Sequence, residues 1–402
     1  MKTNMSFWIF VSIILSVLGG IFLPNEMLSV QWIGVVFMNL LKLIVLPLVF
    51  SALVSAIASM DNLRKVGSVG MYTLCYVFVS VSVAVLIGLA LINIFQPGVG
   101  VDPTIIPLDP NANNVKAVLT FDSFMLHLFP SNIIDAAAKF EMMAIVLFSI
   151  VFAIACLAAG EEAKPVIVFF MGIRKIFIKM IMWLMYLTPI GLFSLLGSAI
   201  AQAVKQNQLV ESVLGVLTFI MVFLFGLVLH VTWQLILLTV LTKRNPIKYM
   251  RAASGALATA FATSSSMATL PVALVIANEQ GIREEVARFV LPFATTINLA
   301  GTAMYEAVCA LFFCQVLGIE LSLFSQIALF VTAVFAGMGA TGIPEGGLVT
   351  MVTVLRATNV PISAIGVLLP FDRILDRFRT MVNICGDLVC AAVVDHLSRK
   401  KA

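Results

Sequence analysis

Charge is what this sequence has least of. Only 11% of its 402 residues are Asp, Glu, Lys or Arg, against roughly a quarter in soluble domains. Hydrophobic residues make up 61%. That imbalance excludes a soluble globular protein. The period-two alternation of barrel strands is also missing. The apolar runs are long, and lipid forces their backbone groups to bond within a helix. Enzyme signatures are absent: there is no His-Glu-x-x-His, no Gly-x-Ser-x-Gly and no phosphate loop. His127, His230 and His396 lack ligand-type spacing and read as structural or interfacial. The six cysteines, Cys75, Cys156, Cys309, Cys314, Cys385 and Cys390, lie in apolar segments without metal or redox spacing, so they read as small buried side chains. A net charge of +4 carries no message about nucleic acid, because the basic residues sit in short loops where they set topology. No small-residue cleavage site precedes Pro24, so residues 1–23 read as a retained first span.

What is present is a set of apolar spans near 7–23, 31–58, 70–96, 129–158, 167–203, 209–241, 285–315 and 360–396. Two further segments, near 247–281 and 321–357, are interrupted at their centres. The first breaks at Ser264-Ser265-Ser266-Met267-Ala268-Thr269-Leu270-Pro271, the second at Gly339-Ala340-Thr341-Gly342-Ile343-Pro344-Glu345-Gly346-Gly347. Such segments read as half-helix pairs, re-entrant hairpins whose tips are tolerated at membrane depth only where they line a cavity. Charge agrees with eight crossings plus two hairpins. Lys2, Arg64, Lys65, Lys164, Lys243, Arg244, Arg283, Arg288, Arg399, Lys400 and Lys401 then share one face, and both termini are expected in the cytoplasm. Each hairpin precedes a span with a polar patch, and the two hairpins enter from opposite faces, an inverted repeat. The predicted fold is an all-α polytopic membrane protein.

The last span carries a ladder: Asp372, Asp376, Arg379, Thr380, Asn383 and Asp387. Their spacing puts all six on one helix face. Ionisable groups at membrane depth are costly, so they face a bundle interior or a watery site. Arg379 offers a planar fork to a carboxylate and Asp376 the opposite charge to an ammonium group, with Asn383 serving either. The alternative is an internal Asp376–Arg379 or Asp376–Arg377 salt bridge that only balances charge. Arg373 and Arg377 fall beside the ladder. In the seventh span, Asn298, Thr302 and Glu306 form a stripe, and Gly301 lets another backbone approach. Glu306 is either a proton carrier or a packing carboxyl bonded to a neighbouring helix. Ser264 to Ser266 offer hydroxyls and free amides at a half-helix start, a place suited to a carboxylate. The glycine-rich second tip has the freedom a gate needs, and Glu345 there is a tip charge or a second protonation site.

These motifs together resemble the dicarboxylate/amino acid:cation symporter family, which includes the glutamate transporters. The resemblance runs over nearly the whole chain. It is carried by Ser-Ser-Ser-Met-Ala-Thr-Leu-Pro at 264–271, Asn-Leu-Ala-Gly-Thr-Ala-Met-Tyr-Glu at 298–306, Gly-Ile-Pro-Glu-Gly-Gly-Leu-Val-Thr at 342–350 and Asp-Arg-Phe-Arg-Thr-Met-Val-Asn-Ile-Cys-Gly-Asp at 376–387. It implies a homotrimer in the plasma membrane (the inner membrane of a Gram-negative cell). Residues 1–69 and 121–207 would form a trimerisation scaffold. Residues 70–120 and 208–402 would form a transport domain that moves as an elevator.

The same resemblance implies that Arg379 holds the substrate's side-chain carboxylate and Asp376 its amino group. Ser265, Ser266, Thr302, Thr380 and Asn383 complete the pocket, Ala340, Thr341 and Gly342 belong to the gate, and Glu306 carries a proton. Sodium-coupled members have Asn-Met-Asp-Gly-Thr where this chain has Asn298-Leu299-Ala300-Gly301-Thr302, which removes a sulfur and a carboxylate ligand. Third-span sodium positions align with Val77, Ser80 and Val81. Asn298, Asn383 and Asp387 remain as a residual sodium site. The expectation is a proton-coupled symporter of glutamate or aspartate without a cofactor. The alternatives are sodium coupling, a C4-dicarboxylate substrate and an anion channel.

Overall fold

The computed structural model describes residues 5–58, 68–106, 129–139, 142–206, 209–340, 346–358 and 360–399, and every regular element among them is helical. Thr341, Gly342 and Glu345 at the second tip lie outside the described residues, as do His127 and the outer loop beyond Ile106. In chain order come α1 (Met5–Phe22), α2 (Pro24–Ser29), α3 (Gln31–Ala58), α4 (Ser68–Phe95), α5 (Ile133–Ala138), α6 (Met142–Ala159), α7 (Lys164–Leu184) and α8 (Thr188–Lys205). Then follow α9 (Leu209–Thr242), the pair α10 (Pro246–Thr263) and α11 (Ser266–Glu279), α12 (Glu284–Ile297), α13 (Ala300–Val316), the pair α14 (Leu323–Gly339) and α15 (Gly346–Ala357), and α16 (Ile365–Arg399).

Four described stretches, Ser68–Phe95, Val210–Thr242, Glu284–Val316 and Ile362–Arg399, are long and apolar enough to cross a bilayer. At 1.5 Å per residue, the 34-residue α9 runs to about 50 Å. The chain turns by 116° between Phe7–Phe22 and Pro24–Leu40. Pro24, preset for the first turn of a helix, starts the new direction. The expected span 167–203 is two helices, parted by a short 3₁₀ turn at Met185–Leu187 just before Pro189. The expected span 285–315 is likewise two, parted at Asn298 and Leu299.

Side-chain pattern sorts each helix into an inner and an outer face. On α9, Leu214, Leu217, Met221, Phe225 and Val228 form an exposed apolar stripe, as a lipid-facing surface requires. The opposite stripe, Val216, Phe219, Phe223, Leu227, His230 and Gln234, is buried and turns polar at its end. One set of helices packs together: α1 with α8, and α3 with α6, α7 and α8. Ser194 ties part of it by donating to the Val30 carbonyl at 2.8 Å and accepting from the Gly34 amide at 2.9 Å. A second set gathers on α16, which touches α4, α9, α10, α11, α12 and α13; the two sets meet where α8 touches α16 and α3 touches α14 and α15.

Candidate functional site

The site starts from the break between α12 and α13. Asn298 (φ −95°, ψ 56°) and Leu299 (φ −92°, ψ 54°) leave the helical region, so nearby amides lose their intrahelical acceptors. The last helix meets them. Asn383 Oδ1 accepts the Gly301 amide at 2.8 Å, and Asn298 Nδ2 donates to Asp387 Oδ1 at 3.0 Å. Gly301 favours this approach: a Cβ there would lie 3.1 Å from the Arg379 carbonyl and 3.2 Å from Asn383 Oδ1, so the neighbours would have to give by a few tenths of an ångström.

The first hairpin turns on three buried serines. Ser264 adopts the left-handed region (φ 51°, ψ 31°) and ends α10. Ser265 is extended and caps α11, its hydroxyl accepting from the Ala268 amide at 3.2 Å. Ser266 opens α11 and is almost fully buried. The hairpin is fastened to the last helix by Tyr249, whose hydroxyl donates to the Leu388 carbonyl at 2.7 Å.

Arg379 is the largest fully buried side chain among the described residues. Its Nη1 lies 2.8 Å from Asp372 Oδ1, its Nη2 donates to Asp376 Oδ1 at 2.9 Å, and its Cζ stands 4.1 Å over the Tyr305 ring. The pairing with Asp376 weighed from the sequence is therefore formed in this structure. Asp372, which the sequence placed on the ladder without a role in the pocket, is a second counter-ion. Thr380 donates to the Asp376 carbonyl at 2.8 Å. Arg377 stands to one side, 5.8 Å from the Phe261 ring.

Glu306 is fully buried one helical turn beyond Thr302. The Thr350 hydroxyl of α15 donates to its Oε1, and Oε2 has no hydrogen-bond partner among the described residues. The start of α15 sits on the same place: a Cβ on Gly347 would be 2.7 Å from Thr302 Cγ2 and 3.9 Å from both Arg379 Cζ and Glu306 Oε1. Thr350 was inside a quoted motif but carried no signal of its own. Ala340 is buried at the other side of the tip.

Two turns along α16 from Arg379, Asp387 is fully buried with Asn298 as its hydrogen-bond donor, and Asn383 is nearly as buried. No group of three or more His, Cys, Asp or Glu suited to a metal exists among the described residues. The donors here are one carboxylate and amide oxygens, the hard set that alkali cations prefer over transition metals. On α4, Val77, Ser80 and Val81 are all buried, and so is Tyr76, one residue earlier, within electrostatic range of Asp387. Sequence reasoning passed over Tyr76. His230, read as structural or interfacial, is fully buried and bonded to Gln234 at 2.9 Å.

Comparison with known proteins follows the same lines. The sequence model of the sodium:dicarboxylate symporter family matches residues 5–397. An excitatory amino acid transporter of Caenorhabditis elegans is 30% identical over 441 aligned residues, covering 96% of this chain and 86% of that protein. The proton/sodium-glutamate symport protein of Bacillus subtilis (strain 168) is 30% identical over 410, covering 98% and 92%. Excitatory amino acid transporter 3 of Mus musculus is 29% identical over 418, covering 92% and 79%.

Proposed function

The chain belongs to the sodium:dicarboxylate symporter family, and from that premise we propose that it takes up glutamate or aspartate together with protons. It is a multi-pass membrane symporter and not an enzyme. The observation that carries the substrate class is the buried Arg379 with Asp372 and Asp376 on either side, reached by α13 and the second hairpin. A substrate with a side-chain carboxylate and an ammonium group can replace the Arg379–Asp376 pair by two new pairs, one to each residue. Neither Arg379 nor Asp376 is then left bare, which matters because an unpaired buried charge costs several kcal/mol. Ser265, Ser266, Thr302, Thr380 and Asn383 supply the remaining hydrogen bonds, with Ala340, Thr341 and Gly342 at the gate.

Charge balance supplies the reason for symport. Asp372, Asp376 and Arg379 sum to one negative charge, and Glu306 and Asp387 add two more when ionised. An acidic amino acid brings a further net negative charge. Desolvating it beside that excess is unfavourable unless cations enter as well. Glu306, with one oxygen unpartnered, is the proton carrier in this reading. A second reading, sodium coupling through Asn298, Asn383 and Asp387, is favoured by the unpartnered Asp387 Oδ2.

By the same reasoning the protein works as a homotrimer with both termini in the cytoplasm. The α1, α3, α6, α7 and α8 group is the scaffold, and α4 with α9 to α16 is the moving transport domain. The test is uptake of radiolabelled L-glutamate and L-aspartate into liposomes holding the purified protein, with proton and sodium gradients imposed separately. Proton-driven uptake is expected. Uptake that follows only the sodium gradient moves the coupling to Asp387, and saturable uptake of neither substrate refutes the substrate class.

A further inference from the structure

The buried face of α9 changes character where it reaches α16. His230 and Gln234, four residues apart and fully buried, are hydrogen-bonded at 2.9 Å. Nothing in an apolar spanning helix requires an amide and an imidazole there, and polar groups at that depth are costly. The Gln234 amide packs against Gly386, the residue just before Asp387. A Cβ on Gly386 would lie 2.7 Å from Gln234 Nε2 and 3.1 Å from Asn298 Nδ2. Three amides and a carboxylate from α9, α12–α13 and α16 therefore meet in one layer: Gln234, Asn298, Asn383 and Asp387.

The amides and hydroxyls of that layer carry donors as well as acceptors, yet several of its oxygens are left without a partner. Gln234 Oε1, Asn298 Oδ1 and Asp387 Oδ2 are all buried without a hydrogen-bond partner among the described residues, and so are the Tyr76 hydroxyl and Ser80 Oγ on α4. The described ion pairs of Lys and Arg do not include Asp387. Buried polar oxygens normally have partners, and a buried carboxylate without a positive partner is the costliest of them.

We propose that Gln234, held by His230, is an oxygen donor to a sodium ion at Asp387, replacing from α9 the ligands that Leu299 and Ala300 do not provide. Sodium is a small hard cation satisfied by several oxygens, and one carboxylate with amide and hydroxyl oxygens offers such a set. His230 then acts as a positioning residue, fixing the amide against the α9 backbone. This inference builds on the symporter reading, but the two can fail separately.

The experiment measures the melting temperature of the purified full-length protein while sodium chloride replaces choline chloride at constant pH and ionic strength. A ligand that binds only the folded state raises it by mass action. Wild type is expected to be stabilised, and Asp387→Asn to lose the response. Gln234→Leu is expected to need about tenfold more sodium for half the effect, the size of one charge-assisted contact. Its glutamate KM at saturating sodium should change by less than about twofold, since the substrate pocket lies two turns away. Gln234→Glu keeps size and oxygen and is the second variant should the Gln234→Leu protein fail to fold; it is expected to retain the sodium response. Wild type indifferent to sodium overturns the proposal while leaving proton-driven uptake intact. So does a Gln234→Leu protein that melts lower in choline yet keeps the wild-type sodium half-saturation, which marks a packing role. Stabilisation by sodium without uptake of either acidic amino acid supports the site and refutes the substrate.

Discussion

Replacing Glu306 by Gln removes one titratable proton from the membrane interior and very little else. The side chain keeps its length, and its amide oxygen can still accept from the Thr350 hydroxyl. Oε2, the position an amide nitrogen would take, has no partner among the described residues to lose. The stability change should therefore stay within about 1 kcal/mol, the scale of one ordinary hydrogen bond. The transport consequence is much larger. If each cycle carries one proton on Glu306, each unit of pH difference supplies about 1.4 kcal/mol, a factor of ten in substrate accumulation. Proteoliposomes one pH unit more acidic outside than inside should raise the steady-state glutamate ratio about tenfold with wild type. The Glu306→Gln protein should show no such rise, while still exchanging labelled for unlabelled glutamate at equal pH. That exchange shows the pocket to be intact. Accumulation by Glu306→Gln that still follows the pH gradient would refute the assignment and make Glu306 a packing residue for α15.

The remaining perturbations test the site's construction. Arg379→Cys leaves Asp372 and Asp376 buried without their counter-ion, so acidic substrate should be lost and stability should fall by about 3–5 kcal/mol; uptake of labelled serine or alanine reads whether a neutral substrate is admitted, and retained glutamate affinity would contradict the pocket. Gly301→Ala places a methyl 3.1 Å from the Arg379 carbonyl, and because the crowded atom is backbone, a loss of about 1–3 kcal/mol in stability is expected, read by melting. Ser194→Ala should cost about 1–3 kcal/mol by leaving the Gly34 amide without its acceptor, with substrate KM unchanged because its partners, Val30 and Gly34, are not among the proposed pocket residues.

How much of this was legible in the sequence depended on where each cause resides. The polar ladder was readable because its cause is local. Asp372 to Asp387 follow the helix period, and α16 is a single helix with all six ladder residues buried. The first hairpin was readable for the same reason, since Ser264 to Ser266 carry the turn in themselves, while Pro271 lies inside α11. The turn between α7 and α8 had Pro189 as a signal, yet its apolar flanks made 167–203 look continuous. The break at Asn298 and Leu299 was hidden. No glycine or proline stands at those positions, and the groups that hold the open backbone, Asn383 and Asp387, are more than 80 residues away. Gln234 was hidden differently: one amide in a long apolar run is invisible to a hydropathy average, although its place on the buried stripe with Phe223, Leu227 and His230 follows from the helix period.

These differences point to a division of labour. A continuous helix satisfies its own backbone, so the side chains of α16 are free to serve other elements. Broken elements have the opposite property: their backbone groups are open and must be met from outside. The site joins the two kinds. Asn383 meets the amide of Gly301, and Asp387 meets the side chain of Asn298. Asp372 and Asp376 hold Arg379 on α16 itself; in the proposed reading a substrate replaces the pair with Asp376. A substitution on α16 therefore disturbs binding and folding together, as expected for Arg379→Cys. Glu306 and Gln234 are different, because each keeps an oxygen without a partner among the described residues. Changes there should move ion coupling while sparing the fold, which is why those two positions separate a transport mechanism from a packing requirement most cleanly.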